Sequence, residues 1–161
     1  MLSRSVAQRL ERQAIFMTNL IIRTAKLPQE LPEIESIRKA VFQVEQGVDS
    51  ELDFDGKDEV SEQIIAYLDK QAVGTARIRY LNQKIAKIER LAVLSEVRGK
   101  GIGKQIMELA LDLANKKNIK EVVINAQEYI IGLHQKLGFE PEGEIFEEAG
   151  IAHVKMRKKL R

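Results

Sequence analysis

The chain has 161 residues, which fits one domain with at most a short appendage. Apolar residues make up 44% and charged residues 31%, with 26 Lys plus Arg against 24 Asp plus Glu, so neither disorder nor a nucleic-acid footprint fits a net charge of +2. Cysteine is absent and histidine occurs twice, which excludes disulfides, Cys-ligated zinc and a cysteine nucleophile and leaves little for a metal site. No apolar run approaches the ~18–20 residues of a membrane span. The first residues lack the apolar core of a secretory signal. The expectation is a cytoplasmic protein without a membrane, metal or nucleic-acid partner.

Leu2, Val6, Leu10 and Ala14 recur at steps of four, with Arg4, Arg9 and Arg12 between them. This predicts a short basic helix in an N-terminal extension over 1–17, with the domain proper over 18–161. Met17-Thr18 is an alternative start, because the strand-like run Leu20–Arg23 follows directly. Past Pro28 and Pro32, the stripe Ile34, Ile37, Val41 and Val44 predicts a helix ending at Gly47. An acidic stretch from Glu45 to Glu62 comes next. Gln63–Leu68, Ala72–Leu81 and Lys84–Leu94 read as a three-stranded antiparallel meander with turns at Asp69-Lys70-Gln71 and Asn82-Gln83. A glycine-rich loop, Arg98–Gly103, opens a strong helix that stops near Asn118. Glu121–Ala126 is a short buried strand and Tyr129–Leu137 a short helix. Glu144–Phe146 and Ile151–Met156 form a closing hairpin around Gly150. The fold class is mixed α/β, or α+β, in one domain.

The loop between strand and helix is the sharpest chemical signal. A helix N-terminus presents free backbone N–H groups and positive potential to an anion. Gly99, Gly101 and Gly103 allow close approach of a phosphate, while Arg98, Lys100 and Lys104 add charge. The dinucleotide pattern GxGxxG fails at Lys104. The Walker pattern fails because Gln105 follows Gly103-Lys104 and Arg98 replaces the first glycine. The remaining fit is Arg-x-x-Gly-x-Gly, carried by Arg98, Gly101 and Gly103. A plain helix-capping turn is the alternative.

Ile88-Glu89-Arg90-Leu91-Ala92-Val93 and Arg98-Gly99-Lys100-Gly101-Ile102-Gly103, with the helix that follows, resemble the acetyl-CoA motif of the GNAT N-acetyltransferases. Tyr129 to Lys136-Leu137-Gly138-Phe139 resembles the second signature of that family. Segments around Ile37–Gln46, Asp53–Glu59, Gly74–Arg77 and Gly150–Met156 are similar to its ElaA/YjcF-like branch. The resemblance implies a GNAT fold, a mostly antiparallel bent sheet flanked by helices and split between strands four and five. It also implies acetyl-CoA or coenzyme A as cofactor. Pantetheine would pair with the backbone of Leu91, Ala92 and Val93. The pyrophosphate would sit on Arg98, Gly99, Lys100, Gly101, Ile102, Gly103 and Lys104, and Gln127 would stand where relatives carry an Asn near the cofactor arm.

Acetyl transfer to an amine needs a neutral nucleophile, an oxyanion stabiliser and an acid for the thiolate. Without cysteine, direct transfer in a ternary complex is the simplest route. Glu89 is the candidate base, acting through water; a carboxylate paired with Arg90 or Arg77 is the alternative. The family's usual tyrosine acid is replaced here by His134, with Tyr129 keeping a phenol nearby. Glu51 to Glu62 nearly spells a calcium loop, but its first position is Glu and Asp58 holds an apolar position. It reads better as a solvated loop, or as an acidic wall for a cationic amine. Glu45 and Asp55, with Glu148 and His153 in a second acidic region, are the acceptor-site candidates. The leading reading is an acetyl-CoA-dependent transferase acting on a small cationic amine. A non-catalytic acyl-CoA-binding module and a protein-lysine acetyltransferase are the rivals, and a homodimer stays open.

Overall fold

The structure, a computed structural model, describes residues 19–160; the predicted helix over 2–16 and the start at Met17 lie outside them. Seven strands form one sheet: β1 (Leu20–Thr24), β2 (Glu62–Leu68), β3 (Gln71–Tyr80), β4 (Ile85–Val93), β5 (Glu121–Gln127), β6 (Glu140–Glu148) and β7 (Ile151–Lys159). Their spatial order is β1-β2-β3-β4-β5-β7-β6. Every neighbour pair is antiparallel except β4 with β5. The helices are α1 (Leu31–Arg38, continuing as a π turn over Lys39–Glu45), α2 (Ser50–Asp53), α3 (Ile102–Lys116) and α4 (Ile131–Lys136).

The predicted meander is β2–β3–β4. Its first turn puts both Asp69 and Lys70 in the left-handed region, at φ 50° and 67°, as a two-residue hairpin requires. The apolar side of α3, Ile102, Ile106, Met107, Ala110 and Ala114, is buried against the sheet. The approach is closest at Gly74, where an added Cβ would stand 2.8 Å from Ile106 Cδ1. A Gly74→Val variant is expected to lose on the order of 1–3 kcal/mol through overpacking. Urea unfolding measures this, and an unmoved midpoint would mean the contact has slack.

Two predicted elements differ from those observed. In α1, Ile34, Ile37 and Val41 are buried, but Val44 is 76% exposed and Phe42 takes the inward place. The π turn over Lys39–Glu45 adds a residue and moves the apolar stripe out of phase. The closing hairpin is longer than its apolar residues suggested. Its edge strand β6 contains five glutamates, poor strand formers that read as loop. Pairing supplies what propensity lacks: Arg157 of β7 donates to Glu142 at 2.7 Å. Pro141 is tolerated on an edge, and Gly143 at φ 82° sits within a register shift of the pairing.

The pairing of β4 with β5 covers only Ile85–Lys87 against Glu121–Val123. Beyond it, β5 stays on β7 as far as Gln127 opposite His153. The sheet therefore splits where the sequence resemblance placed the split.

Candidate active site

The split opens into a cavity of about 380 Å³, walled by Ile88 and Leu91 of β4, Met107 of α3 and Ile124 of β5. Within β4, Arg90 and Leu91 together oppose Ala76 of β3, and Arg90 lies at φ 58°. This is a bulge, which re-aims the strand beside the split. Ala92 and Val93 resume pairing with Thr75 and Gly74 on the β3 side.

The glycine loop adjoins this strand. Gly99 and Gly101 lie at φ 79° and 81°, and an added Cβ at either would meet nothing within 4 Å. These glycines serve backbone shape over an open face. No side chain caps α3, so the first N–H groups of Ile102, Gly103 and Lys104 stay available for an anion. Arg98, Gly99, Lys100, Gly101 and Lys104 are exposed, Gly103 is half-buried, and the Ile102 side chain is in the core. Arg98 Nε donates to the Val93 carbonyl at 2.9 Å, and its guanidinium pairs with Glu45, Nη2 to Oε1 at 2.5 Å. This uncapped helix end, beside a strand whose edge toward β5 is unpaired past Lys87, fits a pyrophosphate and its pantetheine arm.

Glu89 sits on the cavity wall but is tightly held. Arg77 Nε and Arg79 Nε donate to it at 3.0 and 3.1 Å, and Lys87 Nζ stands at 3.4 Å. Burial pushes its carboxyl up, but the bonds from Arg79 and Arg77 outweigh burial and hold it down at about 2. Its arginine partners are Arg77 and Arg79. Arg90 instead bonds the Leu52 and Asp53 carbonyls and lies 3.5 Å from the carboxylates of Asp53 and Asp55.

His134, on α4, lines the same cavity and is 4% exposed. Its Nδ1 is buried without a hydrogen-bond partner, and its ring meets Phe139 edge-on at 5.9 Å. Burial pulls its imidazole down to about 4, so it is neutral at physiological pH. Tyr129 is 73% exposed at the rim. Gln127 exchanges two amide hydrogen bonds with Gln46, at 3.1 and 3.0 Å, joining the end of β5 to the segment after the π turn.

Most of the acidic segment is exposed, Asp49, Glu51 and Glu59 among it, but two of its acids are not solvated. Asp53 and Asp58 are buried against Arg38 and Arg77, both 0% exposed. Arg38 bonds Asp53 Oδ1 at 2.9 Å and Asp58 Oδ1 at 2.5 Å. Arg77 grips Asp55 with two bonds of 2.8 Å, and these bonds hold the Asp55 carboxyl well below the usual range against the effect of burial. Among the described residues no cluster of three His, Cys, Asp or Glu could hold a metal. Of the acceptor candidates, Asp55, Glu148 and His153 line the cavity, whereas Glu45 stands at the glycine loop on Arg98. Sequence reasoning missed Arg38, Gln46 and Asn125. A charged residue beside the apolar stripe Ile34, Ile37 and Val41 was the available signal for Arg38, and Gln46 closes the Ile37–Gln46 segment of the resemblance; Asn125 left none.

A bent sheet split beside an uncapped, glycine-opened helix defines an acyl-CoA-dependent transferase architecture. The chain belongs to the GNAT family: the model of the acetyltransferase (GNAT) domain matches residues 29–160. It is an acetyl-CoA-dependent N-acetyltransferase of the ElaA/YjcF-like branch. It is 32% identical to the N-acetyltransferase YjcF of Bacillus subtilis over 135 residues, 83% of this chain and 96% of that protein. The crystal structure of Escherichia coli ElaA superposes with a TM-score of 0.77 at 27% identity, over 86% of this chain and 99% of that one. A GNAT acetyltransferase from Elizabethkingia anophelis, solved with acetyl-CoA bound, shares the fold at a TM-score of 0.69 and 18% identity, over 88% and 99% of the two chains.

Proposed function

We propose that the protein transfers acetyl from acetyl-CoA directly to a small cationic primary amine, in a ternary complex, in the cytoplasm. The observation that carries this reading is the cavity in the split, with Leu91 of the strand that leads to the glycine loop and Glu148 and His153 in its wall. When bound, acetyl-CoA supplies the thioester whose carbonyl is the electrophile. Leu91, Ala92 and Val93 offer backbone groups to the pantetheine arm. The loop from Arg98 to Lys104 holds the pyrophosphate with backbone N–H groups and the Arg98 charge. Glu89 acts as an anchor for Arg77 and Arg79, since a carboxylate at about 2 is a weak base. His134 meets the departing sulfur as a neutral ring, and Tyr129 lies at the rim where the acceptor enters.

Calorimetric titration with acetyl-CoA tests the reading, together with thiol release over a panel of amines. Acetyl-CoA at a hundredfold excess over Kd is expected to add about 2.7 kcal/mol of stability. Arg98→Ala is expected to weaken binding by roughly 10–100-fold, the range for a charge-assisted bond. Wild-type protein that does not bind acetyl-CoA would overturn the placement of the cofactor. Binding without thiol release on any amine would favour an acyl-CoA-binding module.

A further inference from the structure

We infer that His153 is the proton acceptor for the incoming amine and that Glu148 holds its ammonium form, an inference that rests on the acetyltransferase reading above. His153 Nδ1 lies 2.6 Å from the carbonyl oxygen of Ile151. A carbonyl only accepts, so Nδ1 carries the hydrogen, and in the neutral ring the lone pair is then on Nε2, the nitrogen that faces Glu148. The ring is 6% exposed and stacks on Phe146 at 5.9 Å with an interplanar angle of 26°, which fixes its direction. Nε2 lies 3.6 Å from Glu148 Oε2, and both residues line the cavity. A lone pair and a carboxylate side by side are two acceptors with no donor between them, and a primary ammonium supplies N–H groups to both.

The other charged groups of the wall are already engaged. Asp53, Asp55 and Glu89 are each held by arginines, and Arg90 and Lys87 pair with those same acids. Among the described wall residues, Glu148 is the carboxylate without an Arg or Lys partner. Its remaining contact is a long 3.4 Å bond from Asn125 Nδ2. His134, the other histidine, faces no carboxylate and is neutral.

The ammonium gives one proton to His153 Nε2. The neutral nitrogen attacks the thioester carbonyl carbon, so a C–N bond forms and the C–S bond breaks. Sulfur leaves with the electron pair and takes the second proton shed by nitrogen, giving amide and free thiol. The proton on His153 passes to solvent.

Two measurements test the inference. Long-range proton–nitrogen-15 correlation spectra read the tautomers of the chain's two histidines directly. For His153 at pH 8 the expected result is a hydrogen on Nδ1 and a lone-pair shift at Nε2 that moves on adding propylammonium. A hydrogen on Nε2 instead, or no response to propylammonium, overturns the inference. In thiol-release kinetics, His153→Gln is expected to lower kcat for primary alkylamines by about 10²–10⁴-fold while leaving acetyl-CoA affinity within about two-fold. The defect should be much smaller with hydroxylamine, which is already neutral near pH 7. Glu148→Gln is expected to raise KM for the alkylamine more than it lowers kcat. An unchanged kcat in His153→Gln, or an equal defect with both nucleophiles, overturns the base role. Failure of the wild-type protein to bind acetyl-CoA overturns the acetyltransferase placement instead, and the tautomer spectrum still decides the state of His153.

Discussion

An Arg77→Met variant is expected to lose about 3–5 kcal/mol of folding stability, the range for stripping one partner from a buried ion network. Arg77 is 0% exposed and serves three carboxylates: Asp55, Asp58 and Glu89. Glu89 keeps Arg79 and Asp58 keeps Arg38, but Asp55 retains only Arg90 at 3.5 Å. The loss therefore falls mainly on Asp55 and on the segment that carries it over the cavity. A domain of this size holds about 5–15 kcal/mol in total, so the variant would approach unfolding at moderate temperature. Urea titration followed by circular dichroism gives the difference, and the double variant with Asp55→Asn should restore part of it. A loss below about 1 kcal/mol would mean that water compensates these acids.

Stability is expected to fall by about 3 kcal/mol as pH drops from 6.5 to 4, through His134 alone. The ring's ordinary value is 6.5, and burial lowers it to about 4 in the folded protein. The unfolded chain therefore takes up the proton first. The contribution is complete above pH 6.5 and disappears as pH falls through about 4. A second decline begins near pH 4.5, where unfolded glutamates protonate while Glu30 and Glu89 are held at about 2. His134→Phe should flatten the upper decline and leave the lower one. It should also add on the order of 1 kcal/mol at neutral pH, because the unpartnered buried Nδ1 is removed. Denaturant midpoints at pH 7.5 and 5 compare the two proteins, and an equal drop in both would assign the upper decline elsewhere.

What the sequence revealed depended on whether the signal was local. The β2–β3–β4 meander was legible because Val, Ile and Thr alternate between marked turns, and the glycine loop because its chemistry is contiguous from Arg98 to Gly103. The π turn was not legible, since one extra residue per turn leaves the spacing of Ile34, Ile37 and Val41 intact and shows only in Val44. The arginine network was not legible either. Arg38, Asp53, Asp58 and Arg77 are brought together by packing of α1 and the acidic segment on the sheet, and a run of acids looks the same whether solvated or buried. The burial of His134 follows from the helix docking against Phe139, which spacing alone does not report. The tautomer of His153 rests on the carbonyl of Ile151, two residues away and without any signature in residue type.

The amide pair between Gln46 and Gln127 bears on how tightly the cleft can hold its cofactor. A pantetheine arm carries two secondary amides, each with one donor and one acceptor. The two glutamines together satisfy two hydrogen bonds with the same functional group. If a pantetheine amide takes the place of either glutamine, the two bonds of the pair are exchanged for bonds to the cofactor amide and to water, with little net change in bond energy. The two glutamines then act as a placeholder of like chemistry. Paired with each other, these two amides are satisfied, so an arriving cofactor meets no separate cost of desolvating them.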